Sequence, residues 1–337
     1  MENSFLIAQP QGFSLVGQRG NQEDALFPPL GEATPAQRVF MVCDGMGGHE
    51  HGEVASRCVA ETVGSLTAAV GECAVEAMRH TFEAALDEAY RRLDALDTHA
   101  DGRGRTMGTT LTFLAFCTDG VLVAHIGDSR VYQFRRGQGV VFRTRDHSLV
   151  EDLIAAGELT PEEARTHPRH NIITRAVQPH QESPARATFK VLTDVRRGDL
   201  FFLCSDGVME QVENATLAQI LLADAPLEQR MQALVEECRH RETRDNHTGY
   251  LLEVVGCPRL SDVGAGTADS ASTDGECVGS SPCRCFFHTS GRRYGWLLAA
   301  MLLLLFALLL LIVGRRCSTP QEAPRRVLLE PVHRPSR

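Results

Sequence analysis

Lysine is almost missing from this 337-residue chain: Lys190 stands alone, and every other basic residue is Arg. That bias reads as coding preference, and no mechanism attaches to it. An excess of positive charge is missing too. The formal charge is −9 and the pI is near 5.8, a balance that argues against nucleic acid as a partner. No CxxC pair occurs among the 11 cysteines, which argues against a zinc site or a disulfide framework. Cys43, Cys117 and Cys204 instead sit inside apolar runs, as buried thiols of a protein in a reducing compartment. The N-terminus, Met1-Glu2-Asn3-Ser4, shows no basic stretch followed by a long apolar core, so no signal peptide is expected.

What is present is enough apolar sequence, 43% of residues, for one sizeable core with further segments attached. Residues 1–256 read as one globular domain. Strands are expected at 11–17, 38–43, 109–117, 120–127, 130–134, 186–193, 199–204 and 248–255. Thr118-Asp119-Gly120 joins two of them as a hairpin. Helices are expected at 50–69, 74–97, 215–223 and 226–240. In the second of these, Ala77, Ala84, Leu86, Ala89, Leu93 and Leu96 would form one apolar stripe. Residues 146–185 are more polar, with a short helix opened by Pro161 and capped by Thr160. Grouped strands with helix pairs between them indicate an α+β layered fold rather than a βαβ alternation.

Beyond the domain, residues 257–293 are rich in Gly, Ser, Ala, Thr and Asp and read as a flexible linker. Residues 294–313 then hold an uncharged run from Trp296 to Val313, about the minimum to cross a hydrocarbon core of roughly 30 Å. Tyr294 and Trp296 lie at one end, and Arg pairs flank the run. A single transmembrane helix is the expectation, followed by an Arg- and Pro-rich disordered tail at 314–337.

Five short motifs carry chemistry. Asp44 ends an apolar run in Val42-Cys43-Asp44-Gly45-Met46-Gly47-Gly48-His49, where glycines turn the chain and let backbone approach a ligand. Arg19-Gly20-Asn21-Gln22-Glu23-Asp24 joins a guanidinium suited to phosphate oxygens with two adjacent acids suited to a divalent cation. His125-Ile126-Gly127-Asp128-Ser129-Arg130, Leu203-Cys204-Ser205-Asp206-Gly207 and Arg244-Asp245-Asn246-His247-Thr248 place further carboxylates at strand ends. Each motif alone reads as an ordinary turn or cap. Carboxylates at so many strand ends are harder to explain that way, and they point to a hard-cation site that handles phosphate.

In this order, and with Met107-Gly108-Thr109-Thr110, Asp146-His147-Ser148, Ile173-Thr174-Arg175-Ala176 and Gly198-Asp199-Leu200 beside them, the motifs resemble the metal-dependent protein phosphatase family (PPM, type 2C), in particular its bacterial members. The resemblance covers roughly residues 10–256. It implies two packed antiparallel sheets flanked by helix pairs, an α-β-β-α sandwich, and hydrolysis of phosphoserine and phosphothreonine in proteins by a metal-bridged hydroxide. By similarity, Asp44 would bridge two Mn²⁺ or Mg²⁺ ions, with Asp206 and Asp245 completing the first. Glu23 and the Gly45 carbonyl would serve the second, Asp24 its waters, and Asp128 a third, weaker ion. Arg19 would grip the substrate phosphate. One departure stands out: where some members carry a His just after the bridging Asp-Gly, proposed to protonate the leaving oxygen, this chain has Met46. A metal-bound water is the alternative donor; His49 and His51 read as loop residues.

The expected partners are phosphorylated proteins, a cognate Ser/Thr kinase and a membrane. The expected place is the inner or plasma membrane, with the catalytic domain in the cytoplasm. Arginine counts oppose that orientation, with three before the span (Arg284, Arg292, Arg293) and six after it (Arg315, Arg316, Arg325, Arg326, Arg334, Arg337). Two other readings compete. A non-catalytic phosphoprotein binder should lack the metal carboxylates, and a phosphatase of anti-sigma-factor antagonists often carries attached sensor domains.

Overall fold

The computed structural model describes residues 4–46, 51–97 and 107–258. The strands are β1 (Leu6–Ile7), β2 (Gln11–Leu15), β3 (Ala25–Phe27), β4 (Val39–Cys43), β5 (Gly45–Met46), β6 (Gly108–Thr109), β7 (Leu111–Cys117), β8 (Gly120–Ile126), β9 (Arg130–Arg135), β10 (Gly139–Arg143), β11 (Thr188–Leu192), β12 (Leu200–Cys204) and β13 (His247–Gly256). The helices are α1 (Gly52–Ala68), α2 (Val75–Leu96), α3 (Leu149–Ala155), α4 (Pro161–Arg165), α5 (Asp206–Gln211), α6 (Asn214–Leu221) and α7 (Leu227–His240).

Two large antiparallel sheets result, with β5 and β6 forming a small third one. One runs β1-β13-β12-β9-β10, with β2 also paired to the start of β13; the other runs β11-β8-β7-β4-β3. Strand β4 shows why they stack. All five of its residues are buried, so it must be covered on both faces. The period of two sends Phe40 and Val42 into the space between the sheets, where Leu114, Phe116, Phe201, Leu203, Tyr250 and Leu252 meet them. Val39, Met41 and Cys43 point the other way, into a core shared with α1 and α2. On the far side, Phe202, Cys204, Tyr132 and Phe134 bury against Val208, Leu217 and Leu234 of α5, α6 and α7. The order of layers is therefore helix, sheet, sheet, helix.

The α2 stripe differs from expectation. Leu86, Ala89 and Leu93 are buried, but Ala77, Ala84 and Leu96 are exposed, and Val75, Met78, Phe82 and Tyr90 take their places. Larger side chains won because the facing sheet offers aromatic partners: Phe82 sits 4.7 Å from Phe113 and 5.5 Å from Phe189, ring centre to ring centre. Burying one such ring contributes about 1.5–3 kcal/mol, which two alanines cannot match. Thr160 does cap α4 as expected. Its hydroxyl accepts from the Glu163 amide while the Glu163 carboxylate accepts from the Thr160 amide.

Among the described residues, no helix is long and apolar enough to cross a membrane. The expected linker, the span at 294–313 and the tail lie outside the described residues, apart from the first two linker positions, Cys257 and Pro258. His49 also lies outside them.

Candidate active site

The expected site residues come from five separate places in the chain, and the two sheets bring them to one edge. Asp44 follows β4 directly, with Gly45 opening β5. Its backbone is pinned from both sides: the amide donates to Thr110 Oγ1 at 3.0 Å, and the carbonyl accepts from the Thr110 amide and the Thr109 hydroxyl, each at 2.9 Å. These bonds leave the carboxylate without a structural duty. Asp128 leaves β8 two residues past its end, after Gly127. Asp206, two residues past the end of β12, is the first residue of α5, with Ser205 as its N-cap. Gly207 allows this, because a Cβ there would lie 2.1 Å from the Asn246 carbonyl oxygen.

The loop that carries Arg19, Glu23 and Asp24 is held by two residues that sit inside the motifs without a role assigned to them there. The Asn246 side chain donates to the carbonyls of Val16 (2.8 Å) and Asn21 (2.9 Å) and accepts from the Glu23 amide (2.8 Å). Both donors and one acceptor site of a single amide are thus used to shape this loop. Ser205 ties the same loop to the neck of α5. Its hydroxyl donates to Asp24 Oδ2 at 2.8 Å and accepts from the Thr248 amide at 3.0 Å. Both residues stand beside expected ligands, Asp245 and Asp206, which is the only signal in the sequence that could have marked them.

Electrostatically the carboxylates act as one cluster. Burial, followed by the charges of Asp206, Asp24 and Asp128, pushes Asp44 well above the ordinary carboxylate range. Burial and its neighbours Asp206 and Asp146 raise Asp128 to about 8. Burial takes Asp24 to about 7, against the pull of hydrogen bonds from Thr248 and Ser205. Asp206 is raised by burial and by Asp245, and Glu23 by burial and the Glu53 charge. A cation among them would reverse the sense of every one of these shifts.

The residues present suit such a cation. Asp24 Oδ1, Asp128 Oδ1 and Asp206 Oδ1 are buried without any hydrogen-bond partner, a costly state for a carboxylate oxygen that nothing coordinates. The donors are all oxygen, as hard divalent ions require. Gly45 forms a cradle: a Cβ there would lie 2.4 Å from the carbonyl oxygens of both Glu23 and Gly52. As they stand, no three His, Cys, Asp or Glu side chains among the described residues form a group that could hold a metal ion. Asp44 and Asp206 hydrogen-bond to each other, and Arg19 donates to Asp245 Oδ2 at 2.5 Å. Arg19 keeps 59% of its side-chain surface exposed, so its remaining N–H groups face solvent. Met46, in β5, has no titratable proton.

Residues 17–246 match the family described as protein phosphatase 2C. The chain is 33% identical over 240 residues to the protein phosphatase PhpP of Streptococcus pneumoniae, an alignment covering 71% of this chain and 94% of that one. Among solved structures, the serine/threonine phosphatase of S. agalactiae superposes with a TM-score of 0.62 at 31% identity, over 73% of this chain and 99% of that one. The catalytic domain of the serine/threonine phosphatase PstP, solved in complex with two manganese ions, gives a TM-score of 0.61 at 30% identity, over 74% and 100% of the two chains.

Proposed function

The chain belongs to the protein phosphatase 2C family and is a serine/threonine protein phosphatase, and from that premise we propose that its carboxylate cluster holds two Mn²⁺ or Mg²⁺ ions for the hydrolysis of phosphoserine and phosphothreonine in proteins. The observation that carries the reading is the set of buried, unpartnered oxygens on Asp24, Asp128 and Asp206 within one cluster of carboxylates. Divalent cations, when bound, lower the pKa of coordinated water and neutralise phosphoryl oxygens.

The protein's own residues supply position and charge. Asp44, whose charge is felt alongside those of Asp206, Asp24 and Asp128, would be a ligand shared by both ions; Asp206 and Asp245 would serve one, and Glu23 and the Gly45 carbonyl the other. Asp24 would orient waters of the second ion, and Asp128 would serve a third, weaker position. Arg19 donates to the equatorial oxygens of the phosphate, which needs its pairing with Asp245 to loosen. The layered core behind β4 and β12 keeps these groups from drifting as charge builds during the reaction.

The test is hydrolysis of a phosphothreonine peptide. Activity is expected to vanish with chelator and return with Mn²⁺, and Arg19→Ala to raise KM about tenfold or more. Full activity under chelation would overturn the reading.

Residues 294–313 would tether the enzyme to a membrane, with the domain on the cytoplasmic side and opposing a Ser/Thr kinase; the pattern of an apolar run after a polar linker supports this. Protease added to intact cells should leave the catalytic domain whole. Digestion of the domain with the tail spared would reverse the orientation. A non-catalytic phosphoprotein binder fits less well, since Asp44, Asp206 and Asp245 are all present and gathered at one sheet edge. No observation favours the anti-sigma-factor branch.

A further inference from the structure

Next to the carboxylate cluster, reached through Met46, lies a cavity of about 560 Å³ that the chemistry above does not use. Met46 forms one side of it; Thr174, Arg175, Gln178, Gln181 and Arg186 form much of the rest. Among the described residues that line it, the charged groups are the two arginines. Arg175 is exposed and makes no hydrogen bond or ion pair with any described residue. Arg186 holds one partner, Asp87 of α2, at 2.9 Å.

The cavity is fixed to the site by backbone. Asp44 is followed by β5, whose Gly45 and Met46 pair with Thr109 and Gly108 of β6. Thr109 in turn exchanges both backbone hydrogen bonds with Val177, each at 2.9 Å. The segment bearing Arg175 therefore runs as a third strand-like rung, next to β6 and on its far side from β5. Two strand spacings place it roughly 10 Å from the Asp44–Gly45 backbone. The opposite wall is equally tied down. Tyr90 Oη donates to the Ala185 carbonyl at 2.8 Å. The Gln181 side chain donates to Gln178 Oε1 at 3.2 Å and accepts from the Ala185 amide at 3.3 Å.

We infer that this cavity is a subsite for a second anionic group on the phosphoprotein substrate, two to four residues from the phosphoserine or phosphothreonine being cleaved. An extended chain advances roughly 3.3 Å per residue, so a distance of roughly 10 Å corresponds to that separation. An unpaired guanidinium and a second one beside it suit a phosphate or a carboxylate, and the amide side chains add neutral donors. The inference rests on the phosphatase reading and adds a selectivity to it. Sequences that carry two phosphates, or a phosphate followed by acidic residues, are the favoured substrates.

The experiment compares kcat/KM of the full-length protein with Mn²⁺ on three sets of phosphothreonine peptides. One set has neutral flanks; the others carry Glu or phosphoserine two, three or four positions to either side. At low salt the best anionic peptide should exceed the neutral one by about five- to tenfold, with the advantage shrinking as NaCl is added. In Arg175→Gln the ratio of anionic to neutral should fall to about one; in Arg186→Gln it should fall partway. A rise with phosphoserine alone names a second phosphate as the occupant, and a rise with both names any acidic group. Equal hydrolysis of all peptides by the wild type, or a ratio that survives Arg175→Gln, overturns the subsite and leaves the phosphatase reading standing. Failure to hydrolyse any peptide would overturn both.

Discussion

Asp44→Asn is expected to lower kcat by about a thousandfold or more and, in chelator, to raise the melting temperature above that of the wild type. The two effects have one cause. Asp44 is packed among Asp206, Asp24 and Asp128, and its charge is unfavourable there unless a cation offsets it. Asn keeps the shape, and the bonds to Thr109 and Thr110 involve only the Asp44 backbone, so the fold loses nothing at that point. The sign follows from proton linkage. A carboxyl whose folded pKa is raised binds more protons in the folded state than in the unfolded one, so stability falls as pH rises through the interval between the two values. For Asp24 that interval runs from 3.8 to about 7, and for Asp128 from 3.8 to about 8. Each unit is worth about 1.4 kcal/mol, so the metal-free wild type should melt at progressively lower temperature from pH 5 to about pH 8. Asp44→Asn should flatten that slope, and Mn²⁺ should raise the wild type more at pH 8 than at pH 5. Thermal melts with chelator and with Mn²⁺ measure all three. A metal-free wild type that grows more stable toward pH 8, or an Asn variant with wild-type turnover, would contradict the account.

Gly45→Ala should be nearly as damaging by a different route. The added Cβ would stand 2.4 Å from the Glu23 and Gly52 carbonyl oxygens, well inside contact distance. Neither can swing aside like the end of a flexible side chain. The Glu23 carbonyl already accepts from the Gly45 amide at 3.1 Å and from the Ser56 hydroxyl at 2.5 Å, and Gly52 opens α1. Relief requires the Glu23 loop and the start of α1 to move apart. We expect a loss of about 2–3 kcal/mol in stability. The Mn²⁺ concentration for half-maximal activity should rise about tenfold to a hundredfold, because Glu23 is displaced with its loop. Urea unfolding and a Mn²⁺ titration read the two separately. A variant with both unchanged would show that this close approach is not what holds the ligand.

Much of the layered fold was legible because it is written locally. The apolar runs of β4, β7, β8 and β12 and the 3.6-residue spacing in α7 depend on nearest neighbours and a repeating period. β3 and β10 escaped notice for the converse reason. Ala25–Phe27 is too short to show an alternation, and Gly139–Arg143 is a half-exposed edge strand whose partner, β9, supplies its order. In α2, the choice of Phe82 and Met78 over Ala77 and Ala84 turned on what the facing sheet presents, and no helical wheel contains that.

The order of the five carboxylate motifs was sufficient to indicate the family and, by likeness, the chemistry, since each motif is a strand end followed by a turn and such units are encoded over six or eight residues. The tertiary structure alone decided how those units meet. Asn246 reaches Val16, Asn21 and Glu23 across more than two hundred residues, and Ser205 reaches Asp24 across 181. Both contacts exist only because β13 runs antiparallel between β2 and β12 in one particular register. A lone amide or hydroxyl has no periodicity to announce it. The raised carboxylates and the arginine-lined cavity are likewise properties of groups brought together by strand pairing, because charge repulsion depends on distance in space and not on separation along the chain.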